Sequence, residues 1–146
     1  MKIERILVAV DFSGHSEAAL KLALNLVESF GAELHLVHVF PEPLALAPPY
    51  GPALPVDFGM QIERAAVDHF QEWQQKFCPA DLSVTSYVRR GDPSKQIIEA
   101  ADELDIDLIV MGTRGTTGLE HVLMGSVAER TVRFAHCPVL TTKGEE

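Results

Sequence analysis

The fold of this chain is decided by residues 107–115, which read DLIVMGTRG. The first five of these residues contain a continuous apolar run, which is typical of a strand buried on both faces of a sheet. The run ends at a glycine, and a glycine-rich stretch continues to Gly125. Ser126 and Glu129 then have the spacing of a capping box, which predicts that Ser126 caps a helix running to residue 135. The stretch therefore predicts a buried strand, a glycine-rich loop and a helix in direct succession.

The same alternation of strand and helix extends outward over the whole chain. Apolar runs predict further strands at 6–10, 34–40, 82–88 and 138–142. Apolar residues at helical spacing predict helices over 16–30, 62–77 and 93–101. Strands that alternate with helices indicate an α/β fold. We expect an open, doubly wound, Rossmann-like sheet of five parallel strands in the order 3-2-1-4-5, with helices on both faces.

Four residues are predicted to mark the ends of these helices. Ser16 can cap the first turn of the first helix, and Gly31 stands where a helix commonly ends with a positive φ. Asp92 is a predicted N-cap, and Pro93 suits the first helical position that follows it.

Length and composition limit the class of protein. The chain has 146 residues, which favours one domain spanning 1–146. Its net charge of −9 disfavours binding to nucleic acid or to an anionic membrane surface. No apolar run approaches the roughly 18–20 residues of a membrane span. The two cysteines, Cys78 and Cys137, form neither a disulfide framework nor a CxxC pair, which favours a cytoplasmic protein.

A proline-rich stretch interrupts the pattern between the second strand and the second helix. Residues 41–55 hold six of the nine prolines, which excludes a helix or a central strand there. We interpret it as a surface loop that is a lid, a partner surface or a harmless insertion, since structureless loops of this length are uncommon in compact domains.

The glycine-rich loop has the chemistry of an anion site. Glycines let the backbone turn tightly, and the free N–H groups of residues 126–128 point outward from the helix N-terminus. Arg114 and the Ser126 hydroxyl can add contacts to phosphate. Two simpler interpretations stay open at this point: the glycines serve only turns, and Ser126 serves only as the helix cap.

The expected strand order brings a second residue to this site. Ligands in open α/β sheets bind at the carboxyl ends of the strands where the winding reverses, here between strands one and four. Asp11 leaves the first strand and Gly112 leaves the fourth, so both meet at one crevice. Asp11 could also be only a turn or cap residue. No metal-binding histidine spacing and no nucleophile–base pair is visible, so we predict no efficient enzyme.

These residues resemble a known family. The pattern Gly112-x2-Gly115-x9-Gly125-Ser126 is similar to the nucleotide-binding signature of universal stress proteins. The resemblance extends to that family's first, second and last strands, at residues 6–13, 36–39 and 137–140. It also includes the entry to the third helix, at residues 91–93. The resemblance implies an adenine nucleotide alpha hydrolase-like fold and the family branch that binds ATP.

The resemblance also assigns roles to individual residues. Asp11 is expected near the ribose or a phosphate-bound Mg²⁺, and Val39 is expected to present backbone groups to adenine. The full set of implied binding residues is Ala9, Val10, Asp11, Val39, Met111, Gly112, Arg114, Gly115, Gly125, Ser126, Val127 and Ala128. Thr116 stands where many members carry a lysine or arginine, and Ala128 stands where some members carry a hydroxyl residue. Both differences remove phosphate contacts, so ADP or AMP is expected to bind comparably to ATP.

The last predicted strand suggests self-association. Residues 138–142 should form a short apolar strand at the edge of the sheet. Proteins usually cover an exposed apolar edge strand or pair it with another strand. Pairing across a two-fold axis would satisfy both edges, and the resemblance implies the same homodimer. The alternative is a monomer whose edge is shielded by its tail. The function expected overall is an ATP-binding stress-response regulator with an unknown protein partner; the alternatives are a slow ATPase and a nucleotide-free interaction module.

Overall fold

A computed structural model describes residues 1–41, 58–114 and 124–144 of the chain. The helices and strands alternate throughout these ranges, as the sequence predicts. In chain order they are β1 (Arg5–Ala9), α1 (Gly14–Phe30), β2 (Glu33–Phe40), α2 (Phe58–Phe77), β3 (Val84–Arg90), α3 (Pro93–Glu103), β4 (Leu108–Gly112), α4 (Ser126–Phe134) and β5 (Val139–Thr142). Most of the proline-rich stretch, residues 42–55, lies outside the described residues, so its predicted role as a lid or partner surface stays a prediction.

The five strands form one parallel sheet in the order β3-β2-β1-β4-β5. This order confirms the prediction and places β1 beside β4. The central strands are buried because their apolar side chains face helices on both sides: Val8 packs with the layer of α1 and α2, and Leu7 packs with the layer of α3 and α4. In the described ranges no helix is both long and apolar enough to cross a membrane.

The first helix ends where predicted but begins earlier. Gly31 is its C-cap, with φ of 67° and a backbone N–H that donates to the Val27 carbonyl. The predicted N-cap Ser16 is wrong: the cap is Ser13, whose hydroxyl accepts from the Ser16 N–H at 3.3 Å. Two serines three residues apart can each fill this role, and the turn after β1 selects the first.

The third helix begins as the sequence predicts. Asp92 is its N-cap, and its carboxylate accepts from the backbone N–H of Lys95 at 3.1 Å. That hydrogen bond is the largest influence on the Asp92 carboxyl and lowers its pKa, with smaller help from the hydroxyl of Ser94 and the charge of Arg130. Pro93 occupies the first turn, where its missing N–H costs nothing.

Candidate functional site

A cavity of about 740 Å³ opens at the carboxyl ends of the central strands and runs to the N-terminus of α4. This volume lies within the range of small-molecule sites, roughly 300–1,000 Å³. Its walls bring together residues far apart in sequence, including Asp11 after β1 and Gly112 at the end of β4. The predicted site residues that line it are Ala9, Val10, Asp11, Val39, Met111, Gly112, Arg114, Gly125, Ser126, Val127 and Ala128. The twelfth, Gly115, lies outside the described residues.

The cavity has further walls that sequence reasoning did not identify. Pro93 and Ile97 of α3 form an apolar side, and His38 contributes a ring from β2. Ile97 lies within the helix predicted over 93–101, and apolar helical spacing does not distinguish a cavity wall from a core position. Besides Asp11 and Arg114, Glu129 is the third charged residue among the described residues of the wall. The sequence pattern had assigned Glu129 to a capping box.

Asp11 holds the turn that joins β1 to α1. One of its carboxylate oxygens, Oδ1, accepts from the Ser13 N–H at 3.0 Å and from the Ser13 hydroxyl. The Asp11 N–H donates to the Ser16 hydroxyl oxygen at 3.3 Å. These bonds give Asp11 a role in the turn. Asp11 also lines the cavity, so the turn fixes an acidic residue at the crevice.

Gly112 is required by packing between β4 and α1. A methyl group at this position would lie 2.8 Å from the His15 Cβ and 2.9 Å from the His15 carbonyl carbon and oxygen. Real contacts to a Cβ are longer than this, and backbone atoms cannot rotate away. The glycine therefore allows the first turn of α1 to rest directly on the end of β4.

Gly125 brings the end of the glycine-rich loop onto β4. Its N–H donates to the Thr113 carbonyl at 2.6 Å, and a Cβ here would lie 3.3 Å from that oxygen. The Thr113 N–H in turn donates to the Thr142 carbonyl at 2.9 Å. A ladder of backbone hydrogen bonds thus runs from β5 through residue 113 to the start of α4.

The start of α4 differs from the capping-box prediction, which is wrong. The N-cap is Gly125, which provides no side-chain hydrogen bond, and Ser126 is the first helical residue. The Glu129 carboxylate bonds to Arg133 one turn later, at 2.8 Å. The sequence pattern misplaced the cap by one residue. The first N–H groups of α4 have no partner within the helix, and the helix dipole makes this end attractive to an anion.

The charges at the cavity limit what it can hold. The described charged residues of its wall are Arg114, Asp11 and Glu129. The sequence contains no lysine or arginine from residue 115 to residue 129. Among the described residues no group of three or more His, Cys, Asp or Glu side chains could hold a metal ion. A Mg²⁺ ion here would need oxygen atoms of a ligand in addition to Asp11.

The two cysteines lie apart from this chemistry. Both thiols are free and half-buried, and burial raises the pKa of each. A raised pKa leaves little thiolate at neutral pH, so neither has the character of a nucleophile.

The chain belongs to the Universal stress protein family, whose sequence profile matches residues 2–143. A universal stress protein of Methanocaldococcus jannaschii is 35% identical over 146 residues, covering 96% of this chain and 82% of the relative. The resemblance to this family is thereby confirmed.

Solved structures of the family share the fold. Universal stress protein UspA of Lactobacillus plantarum superposes with a TM-score of 0.79 at 25% identity, covering 98% of this chain and 99% of that one. A universal stress protein in complex with cAMP has a TM-score of 0.69 at 21% identity, covering 98% of both chains. One from Archaeoglobus fulgidus in complex with dAMP has a TM-score of 0.66 at 22% identity, covering 98% of this chain and 100% of that one.

Proposed function

We propose that this protein is a regulatory protein of the stress response that binds an adenine nucleotide in the cavity between β1 and β4. The observation that carries the proposal is one cavity that joins Asp11 to the N-terminus of α4, where the N-cap Gly125 makes no side-chain hydrogen bond. Two proteins of the same fold are described in complex with cAMP and with dAMP, which supports the adenine nucleotide as the ligand class.

The parts of the nucleotide match different walls of the cavity. The apolar wall that includes Val39 and Ile97 suits the base, and Asp11 suits the ribose or a phosphate-bound Mg²⁺. The phosphates would face Arg114 and the N–H groups at the start of α4, where the Ser126 hydroxyl is not used as a cap. Gly115, outside the described residues, is assigned to the phosphates by the family resemblance alone. ATP is the ligand that the family signature implies, with ADP and AMP expected to bind comparably because no lysine or arginine lies between Arg114 and Arg130.

The proposed role is binding rather than catalysis. Efficient hydrolysis of ATP needs several positive charges on the γ-phosphate, and the phosphate loop provides Arg114 alone. We propose a single cytoplasmic domain, 1–146, that changes its affinity for a protein partner when nucleotide binds. A slow ATPase is the second candidate, and steady-state phosphate release distinguishes it.

Titration calorimetry with AMP, ADP, ATP and GTP tests the proposal on protein freed of copurified ligand. Adenine nucleotides should release heat and GTP should not. The proposal fails when no adenine nucleotide binds. The Asp11→Asn variant keeps an oxygen for the turn and removes the charge, so it should weaken binding of Mg–ATP more than binding of AMP. Equal losses would assign Asp11 to the ribose.

We further propose a homodimer through β5. This strand is half-buried and lies at the edge of the sheet, where it pairs with β4 on one side. The neighbouring helix α4 leaves Phe134 60% exposed, which adds apolar surface near the same edge. Light scattering should report about twice the 16.0 kDa chain mass for the wild type. The Leu140→Lys variant should shift the mass toward the monomer, and a wild-type monomer would refute the proposal.

A further inference from the structure

Phe12 has a backbone conformation that aromatic residues rarely adopt. Its φ is 63°, in the left-handed region. Within the described ranges one other non-glycine residue, Asp105, has a positive φ. Aspartate tolerates this region because its short side chain bonds locally, whereas a bulky residue is strained there. Such strain persists only where the surrounding structure holds it.

A cluster of four rings holds Phe12 in place. The Phe12 ring centroid lies 4.8 Å from that of His69, 5.2 Å from Phe70 and 5.4 Å from Trp73, all on α2. The fourth ring, His38 of β2, lies 4.9 Å away. These distances are those of favourable edge-to-face and tilted aromatic pairs. Phe70 is buried, so the cluster is anchored in the core.

The residues on either side of Phe12 face the cavity or bind the turn beside it. The ring nitrogen Nδ1 of His38 lies 2.7 Å from the Val10 carbonyl, and because that oxygen only accepts, Nδ1 carries the proton. On the other side, Ser13 donates to the Asp11 carboxylate and caps α1. The aromatic cluster therefore fixes the backbone directly before and directly after Asp11.

We propose that Phe12 is a positioning residue. Its ring packs against α2, and this packing holds the left-handed backbone turn that places Asp11 at the cavity. The inference rests on the proposed nucleotide function. Affinity for the nucleotide then depends on how α2 packs against Phe12. Among the described residues, none of those that line the cavity belongs to α2.

Two substitutions on α2 form a matched pair for the test. Trp73 contacts Phe12 and also Phe77, whereas Phe77 contacts Trp73 and not Phe12. Trp73→Leu and Phe77→Leu each remove a ring from the same helix. Trp73→Leu should weaken Mg–ATP binding, the ligand most sensitive to Asp11, about five- to thirtyfold, the change that one or two kcal/mol produces, and Phe77→Leu should leave it near the wild-type value. Equal affinity of both variants with the wild type would overturn the inference.

A second pair of variants separates the effect of losing the ring from the effect of the backbone strain. Phe12→Gly and Phe12→Ala both remove the ring, but glycine adopts the left-handed region freely and alanine does not. Phe12→Gly should bind Mg–ATP more tightly than Phe12→Ala, by about fivefold or more, with both weaker than the wild type. The reverse order would show that the turn does not need the positive φ.

Hydrogen exchange supplies a measurement that needs no ligand. The Ser13 amide donates to Asp11, so its exchange rate reports whether the turn is closed. The rate should rise in Trp73→Leu and stay near the wild-type value in Phe77→Leu. An unchanged rate in Trp73→Leu overturns the inference even when the wild type binds no nucleotide. Faster exchange together with absent nucleotide binding would refute the proposed function and leave the positioning of Asp11 supported.

Discussion

Replacing Gly112 by alanine should destabilise this protein although it adds only one methyl group. The added Cβ would lie 2.8 Å from the His15 Cβ and 2.9 Å from two backbone atoms of His15. Ordinary contacts begin at about 3.4 Å, so β4 and the first turn of α1 must move apart by several tenths of an ångström. Both elements border the cavity, and the movement would widen the crevice between Asp11 and residue 112.

The expected loss follows from the cost of overpacking a buried contact. Such insertions typically cost about 1–3 kcal/mol. For a domain of about 150 residues each kcal/mol lowers the melting temperature by roughly 2–4 °C. Gly112→Ala should therefore melt about 2–12 °C below the wild type, and its affinity for AMP should fall as well.

Urea unfolding followed by circular dichroism measures the change in free energy. Gly14→Ala is the matched control, because a Cβ at Gly14 meets nothing within 4 Å and alanine is the better helix former. It should be neutral or stabilise by up to about 1 kcal/mol. A loss of less than about 0.5 kcal/mol for Gly112→Ala would refute the packing argument. His15→Ala should not rescue Gly112→Ala, because the obstructing atoms are the Cβ and the backbone.

Two further predictions concern charge. Thr116→Lys supplies the cation that residues 115–129 lack, so it should raise the affinity for ATP more than for AMP in calorimetry, and equal gains would contradict this. The pKa of Asp92 is lowered in the folded state, so the stability it contributes is present above about pH 4 and is lost as the pH falls through the folded pKa. Asp92→Asn should lower the urea midpoint at pH 7 and flatten its decline below pH 4, so that the two proteins converge in acid, whereas parallel declines would contradict the cap assignment.

The strand order and the meeting of distant residues could be predicted because they depend on patterns longer than one residue. The alternation of apolar runs and helical spacing fixes an α/β sheet, and the rule for winding reversal then places Asp11 opposite Gly112. Neither step depends on the exact residue at which an element starts. The observed order and the shared cavity agree with both steps.

Features that depend on single residues were not predictable in the same way. Ser13 and Ser16 both have cap chemistry, and the choice is made by the turn that Asp11 and Phe12 form. The positive φ of Phe12 has no sequence signal, because it is imposed by rings of α2 that lie about 60 residues away in the chain. Gly112 was expected to serve a ligand, and its neighbour in the structure is His15.

The position of the cap on α4 has a consequence for the ligand. A serine or aspartate at the N-cap would accept a hydrogen bond from one of the first N–H groups, whereas Gly125 leaves them to other acceptors. Gly125 has φ of −68° and ψ of 162°, which any residue can adopt, so a new cap can be introduced there.

Gly125→Ser should therefore compete with the phosphate for the N–H groups of α4. Gly125→Ala is the control, because both variants place a Cβ 3.3 Å from the Thr113 carbonyl and only serine adds an acceptor. Relative to alanine, serine should raise the free energy of unfolding by about 0.5–2 kcal/mol and weaken AMP binding, since helix cap and ligand draw on the same donors. Tighter binding by Gly125→Ser than by Gly125→Ala would show that the phosphate does not use these N–H groups.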